Sequence, residues 1–369
     1  MTRPSLARID LAALRHNYAT ARSIHGGRAL AVLKANAYGH GAVECARALS
    51  GVADAFAVAF FDEARQLRLA GIQEPILLLE GVFDEQEMSS ARELGLWTVV
   101  HQEAQLRWME ADSNGRLVPR PVWLKVDTGM NRAGFAIDQV RDIRRRLVAS
   151  GLASEVVLMS HFANADDPRS EATTRQTAAF NLAGAGLSGP RSLCNSAGLL
   201  RWPAAHRDWA RPGILLYGAD PVTDARHGLA PVMTLESRVF AERVLRPGDR
   251  LGYGGTFTAQ RELRVGLVAI GYADGYPRSA PSGTPVVVGG KRTQLIGRVS
   301  MDMLTVDLTE LTGEGVGSRV ELWGRQVDVN TVAEAAGTIS YELLCNVKRV
   351  PFVYTDDAIP TPTGCQPAR

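Results

Sequence analysis

A lysine carried by a short apolar strand into a glycine-punctuated turn is the first group in this chain equipped for chemistry. Residues 29–41 read Ala-Leu-Ala-Val-Leu-Lys-Ala-Asn-Ala-Tyr-Gly-His-Gly, which sets Lys34 at the strand's carboxyl end. In α/β folds that end faces the ligand. Partial withdrawal from water there favours the free amine, the form that condenses with an aldehyde or takes up a proton. A strand-end lysine is also an ordinary surface residue, so the weight falls on its company. Lys125 and Asp127, His161, Asn195 and Ser196, and Arg211 with Gly213 follow, each at the edge of a later apolar run.

Two of these groups suit an anion. Ser196 opens a helical stretch, and the Arg211-Pro-Gly-Ile214 turn leaves a backbone amide accessible at its glycine, so together they can cradle a phosphate. No Gly-x-x-x-x-Gly-Lys-Ser/Thr loop supports a nucleoside triphosphate, and no Gly-x-Gly-x-x-Gly opens the first strand–helix unit to support a dinucleotide. A phosphate cradle beside a strand-end lysine recommends pyridoxal 5′-phosphate, held as an imine to Lys34.

The elements that must position these groups follow a regular rhythm. After a helical segment at 11–23, β-rich runs fall at 29–33, 55–60, 76–79, 97–100, 122–126, 156–159, 192–194 and 214–216. Amphipathic stretches at 42–49, 62–70, 84–94, 103–111 and 137–148 lie between most of them. Asp62 and Asp84 are placed as N-caps, and Gly71 and Gly95 as C-terminal caps. Eight strand–helix units in about 200 residues predict a (β/α)8 TIM-type barrel, with an open doubly wound sheet as the competing architecture. Beyond residue 221 the helical period fades. Runs at 234–245, 263–270, 285–288, 293–299, 304–308 and 318–323, separated by turns such as Gly289-Gly290, predict a C-terminal mainly-β domain. The expected division is 1–225 for the barrel and 226–369 for the β domain, with one helix at 330–336 and a loose polar tail from 355.

Composition narrows the class. Lysine plus arginine (41) nearly balances aspartate plus glutamate (39), so nothing in the net charge of +2 calls for nucleic acid or an anionic membrane. Any anion site must be local. The four cysteines have neither Cys-x-x-Cys nor zinc-ligand spacing, which fits a reducing compartment. The first ten residues lack a signal peptide's apolar core, and no apolar run approaches ~20 residues, so the expected location is the cytoplasm.

Eight segments now carry a resemblance. Ala31-Val-Leu-Lys-Ala-Asn-Ala-Tyr-Gly-His-Gly41, Lys125-Val-Asp-Thr-Gly-Met-Asn-Arg132, Ser160-His-Phe-Ala163, Asn195-Ser-Ala197, Arg211-Pro-Gly-Ile214, Gly271-Tyr-Ala-Asp-Gly-Tyr-Pro277, Gly297-Arg-Val-Ser-Met-Asp302 and Arg349-Val-Pro351 resemble, in order and across nearly the whole chain, those of the bacterial alanine racemases. The resemblance implies a fold-type III pyridoxal phosphate isomerase, working as a homodimer with shared active sites. It makes Lys34 the cofactor-bound lysine. Tyr38, Ser196 and Tyr354 become phosphate ligands with the backbone at Gly213 and Ile214, and Arg211 faces the pyridine nitrogen with His161 bonded to it. It sets Arg132 and the backbone of Met301 at the substrate carboxylate, and Tyr272, from the other subunit, as the second base. Lys125 is sometimes carbamylated in this family.

Those residue types suit inversion at an α-carbon, which needs a base on each face. Lys34 is assigned to the D enantiomer and Tyr272 to the L. An arginine opposite the pyridine nitrogen cannot accept a hydrogen bond, so the ring stays a weaker electron sink and transamination is suppressed. The product would be D-alanine for peptidoglycan or L-alanine for catabolism. The alternatives are a broad-specificity or serine-preferring racemase, since pockets exclude one added hydroxyl only modestly, a non-catalytic pyridoxal phosphate carrier on a single barrel, and a decarboxylase of the same fold type. Tyr276 is kept as a lining residue, and Trp97, Trp108, Trp202, Trp209 and Trp323 are assigned to packing.

Overall fold

The structure is a computed structural model that describes residues 3–111, 118–222 and 224–356. It divides into two compact units, one formed by Asn17–Leu216 with Asp220–Leu229, the other by the chain up to His16, Tyr217–Ala219 and the chain from Ala230 onward. The first sixteen residues, expected with the barrel, therefore group with the β unit. Most of the expected loose tail lies outside the described residues.

Asn17–Leu216 contains a closed barrel of eight parallel strands. Strands such as Ala55–Val58 and Ile76–Leu78 are buried along their whole length. Helices cover the outer face and packed side chains fill the inner one, which is why these strands read as unbroken apolar runs. Trp97, Trp209 and Arg28, each the first residue of its strand, cluster with Trp123 toward the amino end: the rings of Trp97 and Trp123 each pack on Trp209, with centroids 5.8 Å apart, and the Arg28 guanidinium lies 4.1 Å over Trp209. That leaves the carboxyl end for polar groups.

Caps set the intervening helices. Asp84 accepts the Glu87 N–H at 2.7 Å, as expected of an N-cap. Asp62 instead lies inside the first turn of Phe61–Leu69, where Glu63 binds the backbone N–H of Phe60. Gly71 and Gly95 both take positive φ, 87° and 63°, where each helix turns back.

The expected eighth strand is corrected. Trp209–Ala210 closes the barrel between strands one and seven, and Ile214–Tyr217 forms a 3-10 turn. Pro212 has no N–H to donate to a ladder, and its carbonyl accepts the Val32 N–H at 3.1 Å. Strand one is thus held to the crossing that carries Arg211.

In the β unit the spine is Met233–Leu245, which pairs with Leu6–Asp10, Leu263–Val268 and Arg319–Trp323. Leu6–Asp10 in turn pairs in parallel with Phe352–Thr355, setting Ile9 opposite Tyr354. The hairpin Pro285–Val288 to Lys291–Gln294 turns at Gly289-Gly290, both with positive φ, as a tight hairpin requires. The strand expected at 293–299 is this earlier one. Among the described residues no helix is long and apolar enough to cross a membrane.

Candidate active site

Lys34 stands half-buried where the first barrel strand ends. Ala35, Asn36, Ala37 and Tyr38 then take φ of 51–54° and ψ of 40–51°, a turn of left-handed helix built without glycine. Cβ crowding makes that conformation cost roughly 1–2 kcal/mol per residue, so its neighbours must hold it. They do so at both ends. Glu63 accepts the Ala35 N–H at 2.6 Å with one carboxylate oxygen and the Ala59 and Phe60 N–H groups at 2.8 and 3.1 Å with the other. His40, wholly buried, sets Nδ1 2.9 Å from the carbonyls of both Ala37 and Tyr38. Burial pushes the His40 pKa down to about 4, so the ring is uncharged and Nδ1 carries its proton.

The turn delivers Tyr38 to Gly213. A Cβ at position 213 would lie 2.4 Å from Tyr38 Oη, so only glycine admits the hydroxyl. The Gly213 N–H donates to Ser196 Oγ at 2.9 Å, and Ser196 is buried at the start of the helix Ser196–Arg201, which Asn195 caps through the Gly198 N–H. A tyrosine hydroxyl, a serine hydroxyl and a backbone amide therefore converge, which is the donor set a phosphate takes. Ile214 is buried beside it.

Arg211 directly follows the eighth strand instead of preceding it, which puts it at the carboxyl-end mouth with the other groups. Its guanidinium is buried and donates to Ser160 O at 2.5 Å, Leu193 O at 3.3 Å and Ser192 Oγ. Burial lowers its pKa to about 10, which leaves it charged at neutral pH. His161 Nδ1 lies 3.4 Å from Arg211 Nη2, and Asn195 Nδ2 lies 3.5 Å from its Nε2. His161 is half-buried, and desolvation is the largest reason its pKa falls well below 6.5, followed by the charges of Arg211 and Arg132. Lys125 is buried at the end of the fifth strand, its pKa lowered mainly by burial and further by Arg132, Arg211 and Lys34. Four cations thus bear on one uncharged imidazole. In a chain of net charge +2 this is a local field suited to an anionic ligand. Asp127 uses its carboxylate on the Gly129 and Asn131 N–H groups of its own loop.

Tyr272, Met301 and Tyr354 stand in the β unit. The turn Tyr272–Asp274 is strapped to the Met301 loop, the Tyr272 and Ala273 N–H groups donating to Ser300 O and Met301 O, each at 3.0 Å. Gly271 permits that approach, since a Cβ there would lie 2.3 Å from Ser300 O. Asp274, with no solvent exposure, accepts the Gly271 N–H at 2.9 Å and pairs with Arg3 at 2.5 Å. Arg349 lies 3.7 Å from Asp274 and 2.9 Å from Asp302. The Tyr272 side chain is 37% exposed, with Arg278 6.0 Å over its ring. Tyr276 is corrected from lining residue to core, since it is buried and stacked on Trp323. His40, Glu63, Ser192 and Asp274 were missed as supports. The sequence signals for them were the Gly-His-Gly at 39–41 and the aspartate inside the segment 271–277.

The family profile described as alanine racemase, N-terminal domain, matches residues 9–221, and that described as alanine racemase, C-terminal domain, matches 232–354. An alanine racemase from Azoarcus sp. (strain BH72) is 63% identical over 352 residues, 95% of this chain and 99% of the relative. The crystal structure of biosynthetic alanine racemase from Pseudomonas aeruginosa superposes with a TM-score of 0.92 at 47% identity, covering 96% of this chain and all of that one. That of alanine racemase from Bartonella henselae with covalently bound pyridoxal phosphate superposes with a TM-score of 0.86 at 30% identity, covering 95% of this chain and 99% of that one.

Proposed function

This chain belongs to the alanine racemase family, an isomerase family, and on that premise we propose that it interconverts L- and D-alanine using pyridoxal 5′-phosphate and two bases. The observation that carries the reading is the convergence at one barrel mouth of an amine, a buried arginine and a hydroxyl–amide cradle. The carrier alternative does not survive, because the relatives are enzymes and the likeness extends through residues 232–354.

Lys34 would hold the cofactor through its amine, with Tyr38, Ser196, Gly213 and Ile214 taking the phosphate. When bound, the cofactor supplies an electron-withdrawing ring that acidifies the α-hydrogen of an amino acid. Arg211 presents only donors, so it keeps the ring nitrogen from gaining a proton. The Ser160, Ser192 and Leu193 acceptors fix its plane. Arg132 and the Met301 backbone orient the carboxylate. Lys34 Nζ takes and returns a proton on one face, and Tyr272 of the partner subunit does so on the other, in a cytoplasmic homodimer.

Purified protein is expected to show an absorbance near ~420 nm that borohydride bleaches, and to erase the circular dichroism of L-alanine faster than that of L-serine. Absence of the band overturns the cofactor reading. Equal rates on both amino acids favour the broad-specificity alternative.

A further inference from the structure

The turn that follows Lys34 winds against the preference of L-residues at four successive positions, none of them glycine. Ala35 and Asn36 are exposed, so packing does not hold the first half. Asn36 Oδ1 accepts the Ala42 N–H at 2.9 Å, and Glu63 anchors Ala35 from the next strand–helix loop. The second half has carbonyls turned inward at Ala37 and Tyr38, and both meet the His40 ring. The only output of this half-turn toward the mouth is Tyr38, whose hydroxyl lies against Gly213.

We propose that His40 is a positioning residue for the cofactor's phosphate: its Nδ1–H bridges the Ala37 and Tyr38 carbonyls, locks the left-handed turn, and thereby holds the Tyr38 hydroxyl at the Gly213–Ser196 cradle. This rests on the reading of that cradle as a pyridoxal phosphate site. Lys34 precedes the left-handed residues, so loss of the clamp acts on phosphate recognition more than on the amine.

The test compares full-length apoprotein titrated with pyridoxal 5′-phosphate and with unphosphorylated pyridoxal, read by absorbance and tryptophan fluorescence. His40→Met fills the space without a donor, and His40→Gln restores an N–H. The Met variant is expected to lose about tenfold in its preference for the phosphorylated form, while its affinity for pyridoxal stays within about twofold. The Gln variant recovers part of that preference. Ala35→Gly, which removes the left-handed penalty at an exposed position, recovers part of it in the Met background and keeps that variant foldable. An unchanged preference in the Met variant, or equal loss for both ligands without rescue by Ala35→Gly, overturns the assignment. If the wild-type apoprotein takes up neither compound, the functional reading falls and the His40 role with it. If the wild type binds both but all variants share its preference, only the His40 role falls.

Discussion

Nη2 of Arg211 lies 3.4 Å from Nδ1 of His161, and this contact settles the charge of the imidazole. A guanidinium offers only donors, so Nδ1 must accept and the ring cannot be protonated there. Desolvation and the surrounding cations act in the same sense. His161 is therefore expected to remain uncharged at about pH 6, where an ordinary histidine is partly protonated. Its imidazole NMR resonances should not shift between neutral pH and that value. A midpoint near the ordinary range would mean that the guanidinium does not face the ring in solution.

The depressed pKa of His40 gives the fold an acid sensitivity of definite sign. His40 titrates at about 4 when folded and at 6.5 when unfolded, so between those values the unfolded chain binds more protons and stability rises with pH. The full stability is present above about 6.5 and is lost as the pH falls toward 4. His40 alone accounts for roughly 3 kcal/mol at most. Urea unfolding at a series of pH values should show this slope, and His40→Gln should flatten it. Equal slopes in wild type and variant would remove His40 as the source.

Six of the eight barrel strands were legible because parallel strands covered on both faces are largely apolar, while the seventh, Arg191–Ser192, shares only Ser192 with the run expected at 192–194. The eighth was not. Trp209–Ala210 is two residues long, held by partners at Arg28 and Ser192, while the apolar Ile-Leu-Leu that follows has a strand's composition but turns as a 3-10 helix. Leu6–Asp10 escaped for a related reason, since its ladder partner Glu236 lies 230 residues beyond Leu6. Within the site, Lys34, Tyr38, Ser196 and Gly213 were visible as residue types. The handedness of the turn joining Lys34 to Tyr38 was not, because no composition rule places four non-glycine residues there.

Gly213 is expected to tolerate no side chain while Tyr38 keeps its hydroxyl. Gly213→Ala would press a methyl to 2.4 Å from Tyr38 Oη, an overlap of the kind that costs roughly 1–3 kcal/mol. Affinity for pyridoxal 5′-phosphate should drop accordingly in an equilibrium titration. In the double variant with Tyr38→Phe the loss should be less than the sum of the two single losses, because the opposing oxygen is gone. Strict additivity would show that the two groups do not meet.

Asp274 has no solvent exposure and is the acceptor for Gly271, the residue before Tyr272. Asp274→Asn leaves Arg3 without its charge partner, removes the longer of the two carboxylate contacts of Arg349, which keeps Asp302, and loosens the strap between the Tyr272 and Met301 loops. Because both arginines are partly exposed, the expected loss is about 2 kcal/mol, below that of a fully buried pair. Chemical denaturation measures it. Turnover should fall more than affinity for the cofactor, and a variant that loses cofactor affinity first would place Asp274's influence elsewhere.

Tyr272→Phe separates the two faces of the reaction, though steady-state turnover cannot. Mirror-image substrates have equal free energies, so the equilibrium constant is one and any substitution must lower kcat/KM in both directions by the same factor. Exchange of the α-hydrogen with solvent carries no such constraint. On the proposed assignment of Lys34 to D-alanine and of Tyr272 to L-alanine, the variant in deuterium oxide should still load deuterium into D-alanine with its configuration kept. L-alanine should stay unlabelled, and racemisation should fall by roughly 10²- to 10⁴-fold. The exposed position of Tyr272 on its turn makes the substitution mild for the fold. Label entering L-alanine as fast as D-alanine would take the base role away from Tyr272, whatever the drop in turnover.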